Sequence, residues 1–168
     1  MANILTAEEA ARVVAVDPAD EKLADVLPQI DAYIKQATGR DWTQDTAIRP
    51  EAKAAARLQL ALVYDLMAMQ PSQIASLRAG LVSSLAQLET IASYLQVIEN
   101  INAAAYVADM ETYISSGKLG LNLIDYNRMR PNAQQSVAQA VLDERPLGGY
   151  ADLSAIQAAL DAAVKAAT

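Results

Sequence analysis

The chain has 168 residues, a length that suits one ordinary domain or two small ones. It contains no cysteine and no histidine, which excludes thiolate nucleophiles, disulfides, Cys/His zinc sites and imidazole acid–base catalysis. The formal net charge is −7, and the densest basic cluster is Arg128 with Arg130, so the composition argues against a nucleic-acid partner.

The hydrophobic composition predicts an all-α fold. Hydrophobic residues make up 53% of the chain; they are mostly Ala and Leu, with no Phe and a single Trp. Ala and Leu lose little on entering a helix, whereas β-branched and aromatic residues favour strands. No apolar run approaches the roughly 18 residues that span a bilayer. The N-terminus also lacks the features of a signal peptide. We therefore expect no membrane contact and a protein that stays in the cytoplasm unless it leaves within a larger particle.

A capping box predicts the start of the first helix. Thr6 and Glu9 have the spacing at which each side chain bonds the other's backbone amide, so a short helix should run to about Val14. A turn at residues 17–20 follows, and Asp20 is placed to cap the next helix.

The second helix has an apolar stripe, Pro28 within it and Gly39 at the position of a left-handed C-cap. Pro28 removes a backbone hydrogen bond and should kink or split the helix. The residues predicted to be buried recur every three or four positions: Leu23, Val26, Leu27, Ile30, Tyr33, Ile34 and Ala37.

Trp42 follows the second helix in the segment Arg40-Asp41-Trp42. One interpretation is a plug that covers the end of a small helical core. The other is an anchor at a protein interface, where Trp is enriched. Both can hold in an obligate oligomer.

The third and fourth helices are predicted to carry the broadest apolar surfaces. The third begins at Pro50, ends before Pro71 and has two adjacent stripes, so it should be central to its domain: Ala55, Leu58, Leu62, Leu66, Met69, and Ala56, Leu60, Val63, Met67. The fourth begins at Ile74 or Gly80 and ends at Ile98. Its seam is close to heptad spacing and could pack on the third helix or on another subunit: Leu77, Leu81, Leu85, Leu88, Ile91, Ala92, Leu95 and Ile98.

A domain boundary is predicted at residues 100–102, which separates a domain at 1–98 from a small accessory domain at 99–168. The second domain should contain three helices, at Tyr106–Ser115, Pro131–Glu144 and Asp152–Ala167. A unit this small has a marginal core, so it should pack on the first half or on a neighbour.

The sequence predicts no catalytic residue, no metal site and no cofactor, and hence a protein that is not an enzyme. Asp17, Asp20 and Glu21 lack the calcium-loop pattern and suit a turn before a helix. Asp143, Glu144 and Asp161 suit a solvated surface, and Gly148-Gly149 suits a loop rather than a phosphate site. A hydrolase that depends on carboxylate side chains remains an alternative.

Residues of about 4–95 resemble the head–tail connector (adaptor) proteins of tailed phages. In that family a short capped helix and an acidic turn precede a helix that ends in a Tyr-Ile and Thr-Gly-Arg pattern, and a long helix follows. The matching segments are Leu5–Ala10, Asp20-Glu21, Ile30–Ile34, Ala37–Trp42, Pro50–Met69 and Gly80–Glu89. Residues 99–168 depart from the family and resemble a small helical module of bacterial surface and phage-associated proteins, with no activity implied.

The resemblance implies a virion structural protein at the head–tail junction, made in the cytoplasm of a bacterial host. Such subunits form a ring of about a dozen copies. The ring docks on the portal protein, receives a tail-side stopper or terminator protein, and lets DNA pass without specific binding. The candidate interface residues are Arg40, Asp41, Trp42, Leu81, Leu85, Leu88 and Leu95. The alternative is a bacterial cytoplasmic adaptor or regulatory module that binds a partner helix through the Leu81–Leu95 seam.

Overall fold

The computed structural model describes residues 3–65 and 68–168, and every regular element among them is helical. The all-α prediction is therefore confirmed. No described helix is both long enough and apolar enough to span a bilayer. The elements are α1 (Ala7–Val14), α2 (Glu21–Thr38), a 3-10 helix (Trp42–Gln44), α3 (Pro50–Tyr64), α4 (Pro71–Ala103), α5 (Val107–Ser115), α6 (Ile124–Arg128), α7 (Pro131–Asp143) and α8 (Leu153–Ala166).

The chain divides into two compact units, Met1–Ala92 (unit 1) and Ser93–Thr168 (unit 2). The division falls within α4, which begins earlier and ends later than the sequence indicated. The predicted end of the fourth helix at Ile98 is wrong, because α4 continues through residues 100–102 to Ala103. Ile101 is fully buried there and extends the apolar face by one more turn.

Unit 1 is organised around α3, which packs on both α1 and α2. The capping box is confirmed: the Glu9 amide donates to Thr6 Oγ1 at 3.2 Å, and the Thr6 amide donates to Glu9 Oε2 at 3.1 Å. Pro50 is the first residue of α3, as predicted. Three alanines on α3 have no exposed surface, so neighbouring helices approach its backbone closely: Ala52, Ala55 and Ala56.

The third helix is shorter than predicted, since α3 ends at Tyr64. Leu66 and Met67 lie outside the described residues, and Met69 lies beyond the end of α3. Val63 is exposed rather than buried, although its spacing of seven from Ala56 places it on the buried side of α3; it lies in the last turn of the helix, beyond the part that the neighbouring elements cover.

The stripe on α2 is confirmed at five of its seven positions. Tyr33 and Ala37 were predicted to be buried and are exposed, while Thr38 is buried instead. The buried face continues from Ile34 to Thr38 at a spacing of four. Positions 33 and 37 are seven residues from buried Val26 and Ile30, so they fit the same stripe, but no neighbouring element covers them in the last turns of α2. Pro28 does not split α2; it lies on the exposed side, where water can hydrate the carbonyl group that lacks its helical partner.

Unit 2 contains the end of α4 and four further helices, so the predicted set of three is incomplete. The five-residue α6 was missed because so short a segment shows no periodicity. Helix α7 packs on both α5 and α8 and carries three buried residues: Val137, Ala138 and Val141. Asp152 caps α8 by accepting from the Ala155 amide at 2.9 Å.

Candidate interaction surfaces

The corner after α2 is held by a buried hydrogen-bond relay. The Trp42 indole Nε1 donates to Thr38 Oγ1 at 2.8 Å, and the Thr38 hydroxyl donates to the Ile34 carbonyl at 2.8 Å. Gly39 supplies the left-handed C-cap between them, with φ of 71°. Only 1% of Trp42 is exposed, so the indole plugs the core of its own unit.

Charged side chains surround this corner and pair with one another. Arg40 Nη2 lies 2.8 Å from Asp45 Oδ1, and its guanidinium lies 5.5 Å from the centre of the Trp42 ring. Asp41 Oδ1 accepts from the Thr43 hydroxyl at 2.6 Å, while its Oδ2 accepts from Lys35 Nζ at 2.9 Å.

These contacts to Asp41 have an electrostatic consequence. The hydrogen bonds from Thr43 and then from Lys35 lower the pKa of the Asp41 carboxyl group. Arg40, Asp41 and Trp42 are thus engaged within unit 1, and their part in an interface stays a prediction.

The leucine seam of α4 is partly used within the chain. Leu81 and Leu88 are buried in unit 1, whereas Leu85 is half-buried. A Cβ added at Gly80 would lie 3.6 Å from a methyl group of Leu58, so Gly80 of α4 lies at ordinary contact distance from the Leu58 side chain of α3. Leu95 is half-buried in unit 2. The seam therefore offers a partner fewer free leucines than its spacing suggested.

A polar cleft of about 550 Å³ lies beside α2 in unit 1, and the sequence did not single it out. It is lined by Asp31 and Lys35 of α2, by Asn3, and by Asp41 and Thr43 of the corner. The Ile4 amide donates to Asp31 Oδ1 at 3.2 Å.

The two carboxyl groups of this cleft differ in acidity. Burial raises the pKa of Asp31, and the nearby charge of Asp41 adds to that effect, whereas the pKa of Asp41 is lowered. The cleft thus holds one carboxyl group that retains its proton more readily beside one that loses it more readily. No sequence signal pointed to Asp31, because its burial is set by the tertiary fold; the hydrogen bond from the Ile4 amide acts in the opposite direction and lowers its pKa.

The loop between α7 and α8 is held by hydrogen bonds to the C-terminal end of α4 and the residue that follows it. The Asn102 side chain accepts from the Tyr150 amide at 2.7 Å and donates to the Tyr150 carbonyl at 3.0 Å. Arg145 Nη1 donates to the carbonyls of Ile101 and Ala104, each at 2.9 Å. We call residues 145–150 the clamped loop.

The tip of the clamped loop is a tight turn that exposes an apolar side chain. The Gly149 amide donates to the Pro146 carbonyl at 2.8 Å, and Leu147 between them is fully exposed. The prediction that Gly148-Gly149 forms a loop between two helices is confirmed.

A second cavity, of about 600 Å³, lies in unit 2 and is called here the α6–α8 pocket. Its apolar surface comes from Met129, Ala133 and Val164. Charged side chains border it, three of them basic and two acidic: Arg128, Arg130, Lys165, Asp125 and Asp161. The basic pair Arg128 and Arg130, noted in the sequence, belongs to this pocket.

The acidic residues that suggested a calcium loop act as turn and cap. Asp17 accepts from the Ala19 amide at 2.8 Å, and Asp20 accepts from the Leu23 amide at 3.0 Å and from the Tyr64 hydroxyl at 3.0 Å. Across residues 3–65 and 68–168, no group of three or more acidic side chains is placed to hold a metal ion.

Comparison with known proteins gives one informative similarity. No family model matches the chain, and no solved structure matches it. A gellan lyase from a Bacillus species is 34% identical over 148 residues, which cover 84% of this chain. The chain spans about 6% of the length of that lyase. A match of 148 residues is longer than either unit, so it includes parts of both.

Proposed function

We propose that this protein works by assembling with other protein chains, as a subunit of a phage or prophage head–tail connector ring. In this role unit 1 docks on the portal protein and links the capsid to a tail-side stopper or terminator protein. The ring surrounds a channel through which DNA passes without specific binding.

The observation that carries the proposal is the set of large apolar side chains left exposed on both units. Each unit buries a core of its own, yet the following residues are 41% exposed or more: Tyr33, Val63, Val82, Tyr106, Ile124 and Leu147. Covering such side chains stabilises an assembly by about 25 cal/mol per Å² of apolar area removed from water. The resemblance of residues 4–95 to connector proteins supplies the identity of the assembly.

Light scattering on the purified chain, alone and mixed with portal rings, tests the proposal. We expect a large homo-oligomer or a portal-bound ring. Val82→Asp should weaken assembly, because Val82 is 68% exposed on α4 and would place a charge in the contact. Ser83→Asp, at the adjacent exposed position, is the matched control. A chain that stays monomeric at every concentration and never binds the portal would refute the proposal.

The similarity to a gellan lyase favours a second candidate function, in which this chain is a helical module of a polysaccharide lyase and takes part in binding or cleaving gellan. The polar cleft of unit 1 is the place for its chemistry, because Asp31 and Asp41 have pKa values displaced in opposite directions. Such a pair suits proton donation and proton acceptance at one site.

Incubation with gellan separates the two candidates. If the second is correct, the chain binds gellan or forms the carbon–carbon double bond of an eliminative product, and Asp31→Asn abolishes this. Asp25→Asn on the exposed side of α2 is the matched control. No binding and no product, together with assembly on the portal, would exclude the second candidate.

A further inference from the structure

Leu147 has the properties of a preorganised apolar anchor. It is fully exposed, yet the clamped loop that carries it is fixed by four side-chain hydrogen bonds to the backbone, from Asn102 and Arg145. A fifth bond, from the Tyr150 hydroxyl to the Val141 carbonyl at 2.7 Å, attaches the loop to α7. An anchor that is already ordered loses little conformational entropy on binding, so the burial of its side chain is converted efficiently into affinity.

The α6–α8 pocket has the matching chemistry. Its apolar surface of Met129, Ala133 and Val164 suits an aliphatic side chain, and a volume of about 600 Å³ is ample for the tip of a turn. The charges are also complementary. Asp143 and Glu144 are exposed just before the clamped loop. The pocket border has three basic side chains against two acidic ones, and Arg128 pairs with Asp125 at 3.5 Å, so the complementarity rests on Arg130 and Lys165.

The anchor and the pocket lie at opposite ends of α7. The pocket includes Arg130 and Ala133 at the start of the helix, and the clamped loop follows Asp143 at its end. At 1.5 Å per residue, the 13 residues of α7 span about 20 Å. The loop cannot therefore fill the pocket of its own chain, but it can reach that of a second copy.

We propose that Leu147 of one copy inserts into the α6–α8 pocket of the next, so that copies join head to tail through unit 2. A contact between two different surfaces of the same chain is heterologous, and its repetition gives a closed ring or an open filament. This inference rests on the proposed function in one respect, which is that both require the chain to assemble with copies of itself.

Disulfide cross-linking tests the contact directly, since the natural chain has no cysteine. In the full chain, Leu147→Cys is combined with Ala133→Cys, and the protein is oxidised with and without portal rings. A disulfide needs Cα atoms within about 7 Å, so the separation along α7 prevents a bond within one chain. We expect a ladder of covalent multimers. Leu147→Cys with Gln135→Cys, on the exposed face of α7, is the control and should give no ladder.

The outcomes distinguish the two claims. A ladder no stronger than the control, or a covalent dimer that does not extend, overturns the head-to-tail contact. A monomer that neither associates nor binds the portal refutes the proposed function as well. As a second measurement, Leu147→Asp should weaken self-association by at least about tenfold in sedimentation experiments, while Leu147→Met should keep it. Equal association of both variants also overturns the contact.

Discussion

Removing the Thr38 hydroxyl tests the relay that holds Trp42 in place. Thr38→Val keeps the shape of the side chain but deletes the oxygen that accepts from the Trp42 indole at 2.8 Å. The variant leaves a buried N–H group without its partner, because Thr38 and Trp42 are 6% and 1% exposed.

The expected loss of stability follows from that unsatisfied donor. A buried polar group that loses its partner costs about 1–3 kcal/mol, which is more than the net value of an ordinary hydrogen bond. We expect Thr38→Val to lower the free energy of unfolding by about 2 kcal/mol. Urea denaturation followed by circular dichroism measures the change, and Trp42 fluorescence reports the corner alone, because it is the single Trp.

A double-mutant cycle isolates the interaction. Trp42→Phe removes the indole N–H, so the Thr38→Val change should cost about 1 kcal/mol less in that background. Thr46→Val, at an exposed position, is the control and should change stability by less than about 0.5 kcal/mol. Additive effects of the two changes, or a Thr38→Val loss no larger than the control, would refute the reasoning.

Two further predictions concern the clamped loop and the acid stability of unit 1. Gly149→Ala should destabilise unit 2 by about 1–3 kcal/mol, because Gly149 has a φ of 77° and its Cβ would lie 2.6 Å from Asn102. Gly148→Ala, which meets nothing within 4 Å, should change little; equal unfolding midpoints would contradict the prediction. Hydrogen bonds from the Lys53 side chain and the Thr6 backbone lower the pKa of Glu9. The contribution of Glu9 to stability is therefore present above the ordinary carboxyl pKa, and it is lost as the pH falls through the lower pKa that Glu9 has in the folded state. In the Glu9→Gln variant the unfolding midpoint should therefore fall less steeply as the pH is lowered. An unchanged slope would show that Glu9 is not responsible for the acid dependence of stability.

Local signals in the sequence were sufficient where the determining interactions are themselves local. The capping box of Thr6 and Glu9, the Gly39 C-cap and the Pro50 helix start each depend on residues within one turn. The groups that fix these helix ends lie close together in the sequence, so residue type and spacing are enough to predict them.

Helix faces were predicted less well, because burial depends on what packs against the helix. Tyr33 and Val63 fit the apolar periodicity of their helices but lie beyond the contact area of the neighbouring elements. The fourth helix was predicted to end at Ile98 with a domain boundary at residues 100–102, yet the helix continues and Asn102 has a tertiary role, since its side chain holds the backbone of Tyr150.

The sequence by itself determined the helical class, the main caps and the exclusion of cysteine and histidine chemistry. Only the tertiary structure decided where side chains distant in sequence meet. The raised pKa of Asp31 depends on its burial in the folded chain, and the loop that carries the exposed Leu147 depends on hydrogen bonds between Asn102 and Tyr150, which lie 48 residues apart. Neither feature produces a periodic pattern in the sequence, since periodicity indicates which face of one helix is apolar and not which other segment covers that face.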